Sequence, residues 1–285
     1  MEIPKISLVI PNLNCAEFLE QTIVSVIEQS YPNLELILSD GGSTDGSLDI
    51  AERYRDAFAH IISEPDTGQA NAVNKGFALA TGDVMGWINS DDVLMPGGLA
   101  TVGSILGQHD SVNWLTGRIT TIDEAGDILH SHRARRVSYP RFLAGDYQWI
   151  QQESTYWRRS LWDKAGGQLD ESLKLAVDGE LWMRFLRFSE LVPVDARIGA
   201  FRFRKGQRSE AMDGYHEELL NAIERERLKP ALDNSLTRSV LGTPLALRSK
   251  KEADKEFPGL SMADPANFSR WRLWALKAAS GWRSA

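Results

Sequence analysis

The stretch VMGWINSDD, residues 84–92, runs from a short apolar segment directly into two adjacent carboxylates, Asp91 and Asp92. The apolar part follows Gly82 and is rich in β-forming residues, which predicts a buried strand. In an open α/β sheet, ligands bind at the edge where the strands end. Adjacent carboxylates repel each other unless a positive or hydrogen-bonding group satisfies them, and a divalent cation with phosphates does so. The stretch therefore predicts a ligand site at a sheet edge, although a solvated turn would have a similar composition.

Strand and helix patterns alternate with short links from the N-terminus as far as residue 106. The predicted strands lie at residues 6–10, 34–38, 60–63 and 84–88, and the predicted helices at residues 16–29, 47–54, 69–80 and 97–106. This order predicts an α/β fold with a mostly parallel central sheet and helices on both faces.

The second half of the chain is less regular. Residues 114–122 and 127–132 are predicted to form a hairpin. The other predicted strands lie at residues 155–157 and 198–203, and the other predicted helices at residues 180–188 and 215–228. Residues 233–266 are polar and interrupted by three prolines, which indicates a linker or a loosely packed arm.

The composition is that of an ordinary soluble globule: 285 residues, 42% hydrophobic and 25% charged. A net charge of −7 argues against a general nucleic-acid binder. Cys15 is the only cysteine, which excludes an intrachain disulfide and fits a reducing compartment. The sequence shows neither a secretory signal nor an apolar run near 18 residues, so a cytoplasmic location is expected.

Seven short motifs occur in order over the first hundred residues. They are SLVIPNLN (7–14), QSYPNLE (29–35), DGGSTDG (40–46), EPDTGQ (64–69), NKG (74–76), ATGD (80–83) and NSDD (89–92). With them, the chain resembles the glycosyltransferases of family 2, which have the GT-A fold. Beyond residue 110 the resemblance thins to GGQLDE (166–171) and VDGELWMR (177–184).

The resemblance implies an inverting, metal-dependent transfer of a sugar from a nucleoside diphosphate, with a UDP-sugar as the first choice of donor. The implied acceptor is a glycan or a lipid-linked saccharide of cell-surface polysaccharide synthesis. On this basis Asp40 contacts the nucleobase, Asp91 faces the ribose or a metal-bound water, and Asp92 ligates Mg²⁺ or Mn²⁺. The remaining residues predicted to bind the nucleotide sugar are Pro11, Asn12, Asn14, Asp66, Lys75 and Arg204.

Asp178 is the candidate catalytic base. In the resembled family, the second acid of a Glu-Asp pair before a helix deprotonates the acceptor hydroxyl, and attack from the opposite face inverts the anomeric carbon. Here Val177 replaces the first acid of that pair. A carboxylate at a helix start is also a good N-cap, a role compatible with catalysis.

Arg204 lies in RFRKGQRS, residues 202–209, a run of four cations without an acid. The family often has a histidine at this place, in a loop that closes over the diphosphate. A guanidinium group binds phosphate oxygens but cannot ligate a metal. Leu13 is a second departure, because the family usually has an aromatic residue near the base, so the base identity stays open.

The C-terminal residues 268–285 are basic and contain three tryptophans. A helix there would have an apolar face. This face could lie on the anionic inner surface of the membrane, dock on the catalytic domain, or form a homodimer. The predicted division is a GT-A domain over residues 1–230, with a nucleotide-binding half to residue 110, and a linker and helical tail over residues 231–285.

Two other functions were weighed. A nucleotide-dependent oxidoreductase is rejected, because the glycines of residues 41–46 lack the G-x-G-x-x-G spacing. A catalytically inactive scaffolding relative is the remaining alternative. The joint presence of Asp40, Asp91, Asp92 and Asp178 argues against it.

Overall fold

The computed structural model describes residues 3–145, 147, 150–207 and 212–229. The strands are β1 (Ile6–Asn12), β2 (Leu34–Asp40), β3 (His60–Ser63), β4 (Val84–Trp87), β5 (Val93–Leu94), β6 (Trp114–Thr116), β7 (Ile119–Ile122), β8 (Ile128–His132), β9 (Thr155–Arg158), β10 (Val192–Pro193) and β11 (Gly199–Arg202). The helices are α1 (Ala16–Ile27), α2 (Ser47–Arg53), α3 (Gln69–Leu79), α4 (Gly98–Gln108), α5 (Tyr139–Leu143), α6 (Arg159–Lys164), α7 (Val177–Phe188) and α8 (Met212–Arg227). The linker and tail over residues 231–285 lie outside the described residues.

Seven strands form the main sheet in the order β10-β6-β9-β4-β1-β2-β3. Only β9 runs antiparallel to its neighbours. The parallel order of β3, β2, β1 and β4 brings their carboxyl ends to one edge, where Asn12 and Asp40 are paired in register. The predicted α/β fold with a mostly parallel sheet is therefore confirmed.

A second sheet has the order β5-β11-β7-β8 and corrects one prediction. Residues 114–122 are not one strand, because the chain leaves the main sheet after β6 and enters the small sheet at β7. The break is at Gly117, where a Cβ atom would lie only 2.8 Å from the Ala196 carbonyl oxygen. The hairpin itself, β7 with β8, is present as predicted.

The faces of the main sheet have different cores. One is aliphatic and includes α1 and α4; the other is built on stacked indoles. The Trp182 ring of α7 lies 5.9 Å from that of Trp87 and 5.7 Å from that of Trp114, close to parallel with both. Such aromatic pairs contribute roughly 0.5–1.5 kcal/mol each beyond the area they bury. This packing fixes α7 against the sheet.

Helix α7 begins at Val177, three residues earlier than predicted from the sequence. Val177 points into the aromatic core, so Asp178 lies in the first turn and not at the cap position. The cap comes from α8: Glu218 Oε2 accepts the backbone N–H groups of Leu175 and Ala176 at 2.8 and 2.9 Å. Long-range capping of this kind holds the start of α7 in place.

Within the described ranges, no helix combines the length and the apolar character needed to cross a bilayer. The basic, tryptophan-rich segment 268–285, on which the membrane-contact prediction rests, is not among the described residues.

Candidate active site

A cavity of about 570 Å³ opens at the carboxyl ends of β1 and β4. We call the residues from 11 to 91 that line it the first wall; they lie at the ends of strands β1 and β4, in the segments that follow β1, β3 and β4, or in α3. We call the lining residues from 152 to 215 the second wall; they come from the 3-10 helix Gln152–Ser154, the start of α7, β11, the loop after it, and α8. The cavity therefore joins the two halves of the chain.

The ten residues predicted to form the site divide into two groups. Six of them line the cavity: Pro11, Asn12, Asp66, Asp91, Asp178 and Arg204. Four do not line it: Asn14, Asp40, Lys75 and Asp92.

Asp91 and Asp92 have different surroundings although they are adjacent. The Asp91 side chain is 19% exposed in the cavity, and its Oδ2 accepts a hydrogen bond from Arg204 Nε at 2.8 Å. Asp92 is fully buried: its Oδ1 accepts the backbone N–H of Arg202 at 2.8 Å, and its Oδ2 accepts Asn89 Nδ2 at 3.0 Å. The metal-ligand prediction for Asp92 does not fit this geometry, because its carboxyl group faces the protein interior.

The direction of Asp92 follows from a tight turn. Its backbone N–H donates to the Asn89 carbonyl oxygen at 3.1 Å, which turns the second carboxyl group inward while the first remains at the edge. Burial, together with the charges of Glu153 and Asp91, raises the pKa of Asp92 well above its usual value. A sequence pattern does not distinguish the inward from the outward carboxyl group in such a pair.

The arginine that ends β11, Arg202, and the one two residues later, Arg204, have separate roles. Arg204 reaches the cavity, and its guanidinium lies 5.6 Å from the centre of the Phe18 ring. Arg202 is fully buried, and its guanidinium donates to the Asp91 carbonyl oxygen at 2.7 Å and to three further oxygens. Those three are the carbonyl oxygens of Asp123 and Glu124 and the side-chain oxygen of Gln21. Arg202 therefore holds the acidic turn in place, and Arg204 is the cation available to a ligand.

Asp40 is buried behind Asn12 at the ends of β1 and β2. Its Oδ1 accepts Asn12 Nδ2 at 2.7 Å, and its Oδ2 accepts Ser63 Oγ at 2.9 Å. Burial alone would raise the pKa of Asp40, but hydrogen bonds, chiefly from Ser43, outweigh burial and hold the pKa below its usual value. Asp40 is thus an anion that orients Asn12, which does line the cavity.

Asn14 supports the same edge from the neighbouring loop. Its backbone N–H donates to Ser43 Oγ at 2.8 Å, and its Oδ1 accepts the Thr44 backbone N–H at 2.9 Å. A φ of 49° lets the Asn14 side chain turn toward that loop. In this arrangement Asn14 fixes the loop and does not line the cavity.

Asp66 occupies space that only a glycine at position 41 leaves open. A Cβ atom built on Gly41 would lie 2.3 Å from Asp66 Oδ2 and 3.3 Å from Leu13 Cδ1. Because Gly41 has no side chain, Asp66 and Leu13 both reach the cavity. These residues define the end of the cavity next to β1 and β2.

Lys75 lies outside the cavity and contacts the segment that precedes Asp66. Its Nζ pairs with Glu64 Oε1 at 2.8 Å and donates to the Pro65 carbonyl oxygen at 2.8 Å. Both partners immediately precede Asp66. Lys75 therefore braces the segment that carries Asp66, and a different lysine, Lys174, lines the cavity.

Asp178 faces the cavity from the first turn of α7. Its Oδ1 accepts the Gly179 backbone N–H at 2.8 Å and the Tyr215 hydroxyl at 3.2 Å. Burial and the Asp178 charge raise the pKa of Tyr215 well above its usual value, so its hydroxyl keeps its proton. The carboxylate is thus oriented by the helix start and by α8.

Four polar residues of the cavity lie outside every motif identified in the sequence and were not predicted: Gln152, Glu153, Lys174 and Tyr215. The signal for the first two was the polar run QQES, residues 151–154, directly before β9. Burial raises the pKa of Glu153 to about 8, with the charges of Asp178 and Asp91 adding to the shift. Glu153 is therefore a neutral carboxyl group at pH 7.

The charge balance of the cavity favours a bound cation. Even without the neutral Glu153, acidic groups outnumber basic groups along its lining: Asp66, Asp91 and Asp178 against Lys174 and Arg204. In the described part of the chain, no cluster of three acidic, histidine or cysteine side chains is arranged to hold a metal by itself. One exposed carboxylate fits the way Mg²⁺ is usually bound, through one or two carboxylates and substrate phosphates. Asp91 fits this role.

The fold is shared with solved glycosyltransferases. S. aureus TarS in complex with UDP-GlcNAc aligns with a TM-score of 0.66 and 18% identity over 96% of this chain and 80% of that chain. The mannosyltransferase PcManGT from Pyrobaculum calidifontis, in complex with GDP-Man and Mn²⁺, aligns with a TM-score of 0.62 and 18% identity over the whole of this chain and 77% of that chain. At this identity the likeness shows a GT-A fold.

Sequence relatives are glycosyltransferases. An uncharacterized glycosyltransferase of Nostoc sp. is 33% identical over 130 residues, which is 42% of this chain and 40% of that protein. The PGL/p-HBAD biosynthesis glycosyltransferase of Mycobacterium bovis is 35% identical over 123 residues, 42% of this chain and 48% of that protein. The chain thus spans less than half the length of either relative. Residues 7–166 match the profile of Glycosyl transferase family 2, so the chain belongs to that family.

Proposed function

We propose that the protein is an inverting, metal-dependent glycosyltransferase that moves a sugar from a nucleoside diphosphate to an acceptor hydroxyl. One observation carries the proposal: a single cavity has Asp91 on its first wall and Asp178 on its second wall. The first carboxylate suits a cation and a diphosphate, and the second suits an acceptor. Family membership supports the reaction class.

The nucleoside would occupy the end of the cavity formed by Asn12, Leu13 and Asp66. Asn12 is oriented by the buried Asp40, so its amide is fixed before a ligand binds. Leu13 is 55% exposed and offers an aliphatic surface to the base. We propose a UDP-sugar as the donor, since S. aureus TarS, which shares the fold, binds UDP-GlcNAc.

The diphosphate would lie beside Asp91, Arg204 and Lys174. We assign Mn²⁺ or Mg²⁺ to Asp91 in place of Asp92, because Asp91 is exposed and its Oδ1 accepts no hydrogen bond from any described residue. When bound, the cation would neutralise charge on the leaving diphosphate. Arg204 already pairs with Asp91 and can donate to phosphate oxygens from the same place.

Asp178 would accept the proton of the acceptor hydroxyl. As that proton moves to the carboxylate, the acceptor oxygen forms a bond to the anomeric carbon, and the bond from that carbon to the diphosphate oxygen breaks. The electron pair leaves with the nucleoside diphosphate. Attack from the face opposite the leaving group inverts the anomeric configuration.

We propose a glycan or lipid-linked saccharide of cell-surface polysaccharide synthesis as the acceptor. The mycobacterial relative is named for a biosynthetic role, which supports an acceptor that is an intermediate of biosynthesis. A cytoplasmic enzyme with the tail 268–285 on the inner face of the membrane is compatible with such an acceptor.

The test is calorimetric titration of the purified protein with UDP, GDP, dTDP and CMP, each with and without Mn²⁺. We expect metal-enhanced binding of one nucleoside diphosphate, which would also identify the base. If none of the four nucleotides bound, with or without Mn²⁺, the result would contradict the proposal and favour an inactive relative.

A further inference from the structure

The floor of the cavity is the 3-10 helix Gln152–Ser154, and it is held by the small sheet. The Gln151 side chain accepts the Thr120 backbone N–H at 2.6 Å and donates to the Thr120 carbonyl oxygen at 2.5 Å. Ser154 Oγ accepts the Gly199 backbone N–H at 3.1 Å. Gly199 has no room for a side chain, because a Cβ atom would lie 2.3 Å from the Glu153 carbonyl oxygen. The backbone of the floor is therefore fixed from two strands.

Glu153 projects from this floor and lines the cavity, and it is 2% exposed. Its carboxyl group accepts hydrogen bonds from Gln151 Nε2, at Oε1, and from its own backbone N–H. No other described residue donates a hydrogen bond to it. It lines the same cavity as Asp91 and Asp178, the two carboxylates assigned to the reaction.

Gln152 brings a second incompletely satisfied group to the same floor. Its Nε2 donates to the Trp87 carbonyl oxygen at 2.5 Å, which fixes the amide. Its Oε1 is buried and has no hydrogen-bond partner in the described structure, although Gln152 lines the cavity. A buried acceptor left without a donor destabilises the folded protein. An unpaired acceptor at a ligand cavity therefore points to a donor on the ligand.

These groups match the chemistry of a hydroxyl. A hydroxyl group both donates and accepts, so it can donate to the Gln152 oxygen and exchange a hydrogen bond with the Glu153 carboxyl group. Phosphate oxygens only accept and would suit Arg204 and Lys174 instead. Asp91 is assigned to the diphosphate and Asp178 to the acceptor in the same cavity, so the part of the ligand left for Gln152 and Glu153 is the sugar.

We propose that Gln152 and Glu153 form the subsite that binds the hydroxyl groups of the transferred sugar and sets the sugar specificity. This assignment rests on the proposed function. A site built to hydrogen-bond a substrate hydroxyl discriminates strongly against an analogue without it, because the polar groups of the protein are then left unpaired. The nucleoside and the diphosphate contact other residues, so the subsite acts on the sugar alone.

The test compares nucleoside diphosphates with their sugar conjugates. UDP, UDP-glucose, UDP-galactose, UDP-GlcNAc, GDP and GDP-mannose are titrated with Mn²⁺ into the native protein and into Glu153→Gln and Gln152→Met. We expect both variants to bind the nucleoside diphosphate within about twofold of native. For the nucleoside diphosphate that the native protein binds, we compare the affinities of its sugar conjugates. In both variants the ratio between the best-bound and the worst-bound conjugate should fall by about tenfold, the equivalent of 1.4 kcal/mol.

Glu35→Gln is the matched control, because Glu35 is a buried carboxyl group outside the cavity. It should leave the sugar preference unchanged. An unchanged preference in both floor variants, with nucleoside diphosphate binding retained, would overturn the subsite and assign the floor to water. If the native protein bound neither nucleoside diphosphates nor their conjugates, the proposed function would fail first, and the subsite with it. If Glu153→Gln did not fold, Gln152→Met, which keeps the side-chain volume, would decide the matter alone.

Discussion

The two walls of the cavity are built in different ways. The first wall consists of short segments next to parallel strands, and local turns aim its side chains, as the Asn89–Asp92 hydrogen bond does for Asp91. The second wall draws on segments spread over residues 152–215, and contacts distant in sequence position it. Examples are Gln151 with Thr120 and Glu218 with the start of α7. Apart from Arg204, which pairs with Asp91, groups on the second wall can therefore change without disturbing the strand ends that form the first.

If the walls divide the work between donor binding and transfer, the largest single effect belongs to Asp178. We expect Asp178→Asn to lower the transfer rate by about 10²- to 10⁴-fold, the usual contribution of a positioned general base. Binding of the nucleoside diphosphate should stay within about twofold of native, because Asp178 is not among the residues assigned to that ligand. Single-turnover assays with the donor identified by calorimetry measure the first quantity, and titration measures the second.

An active Asp178→Asn variant would break this division and move the base to another residue. Two tyrosines that each donate a hydrogen bond to an acidic residue provide a matched control. Tyr215 donates to Asp178 at 3.2 Å, whereas Tyr139 donates to Glu226 at 2.9 Å away from the cavity. Tyr215→Phe should slow transfer, and Tyr139→Phe should not.

The second prediction sharpens the description of the first wall by separating its two adjacent carboxyl groups. Asp91→Asn should weaken Mn²⁺-supported binding of the nucleoside diphosphate by at least about 10- to 100-fold, as losses around metal ligands typically do. Asp92→Asn should act mainly on the free energy of unfolding, by about 1–3 kcal/mol. Its new amide would meet the Asn89 amide, donor against donor, inside the protein. Calorimetry and urea denaturation of both variants measure the two effects.

If the two variants lost metal-supported binding equally, the assignment of the cation to Asp91 alone would be wrong, and Asp92 would also be a ligand. Retained Mn²⁺ dependence in Asp91→Asn would remove the cation from Asp91 and leave the diphosphate to Arg204 and Lys174.

The same contrast explains which parts the sequence could predict. Strand periodicity and the motifs of the first hundred residues located β1 to β4 and placed Asn12, Asp66 and Asp91 at one edge. They did not show which member of an acidic pair turns inward, because a single backbone hydrogen bond decides that. On the second wall, Asp178 and Arg204 were found through motifs. Glu153 had no motif, and its position depends on contacts with β7 and β11 that no local pattern encodes.

The last prediction tests whether the floor of the second wall is as dry as its burial indicates. The pKa of Glu153 is about 8 in the folded protein against an ordinary value of 4.5. Between these values the folded state holds a proton that the unfolded state has released, so the free energy of unfolding should fall as pH rises from about 5 to 8. Glu153→Gln should remove up to about 1.4 kcal/mol per pH unit of that slope.

Urea denaturation at several pH values measures this slope in the native protein and in two variants. The charged or titratable groups around Glu153 are Asp91, Asp92, Asp178 and Tyr156. Asp92, whose pKa is also raised, should leave a residual slope of the same sign in Glu153→Gln.

Glu35→Gln provides the opposite case. Burial would raise the pKa of Glu35, but hydrogen bonds from Lys5, Ser7 and Thr81 lower it to about 2, so its stabilisation is complete above about pH 4.5 and is lost only as pH falls toward 2. That control should therefore lower stability by a constant amount between pH 5 and 8. Identical slopes in the native protein and in Glu153→Gln would mean that water reaches the floor, and the two walls would then differ in construction but not in solvation.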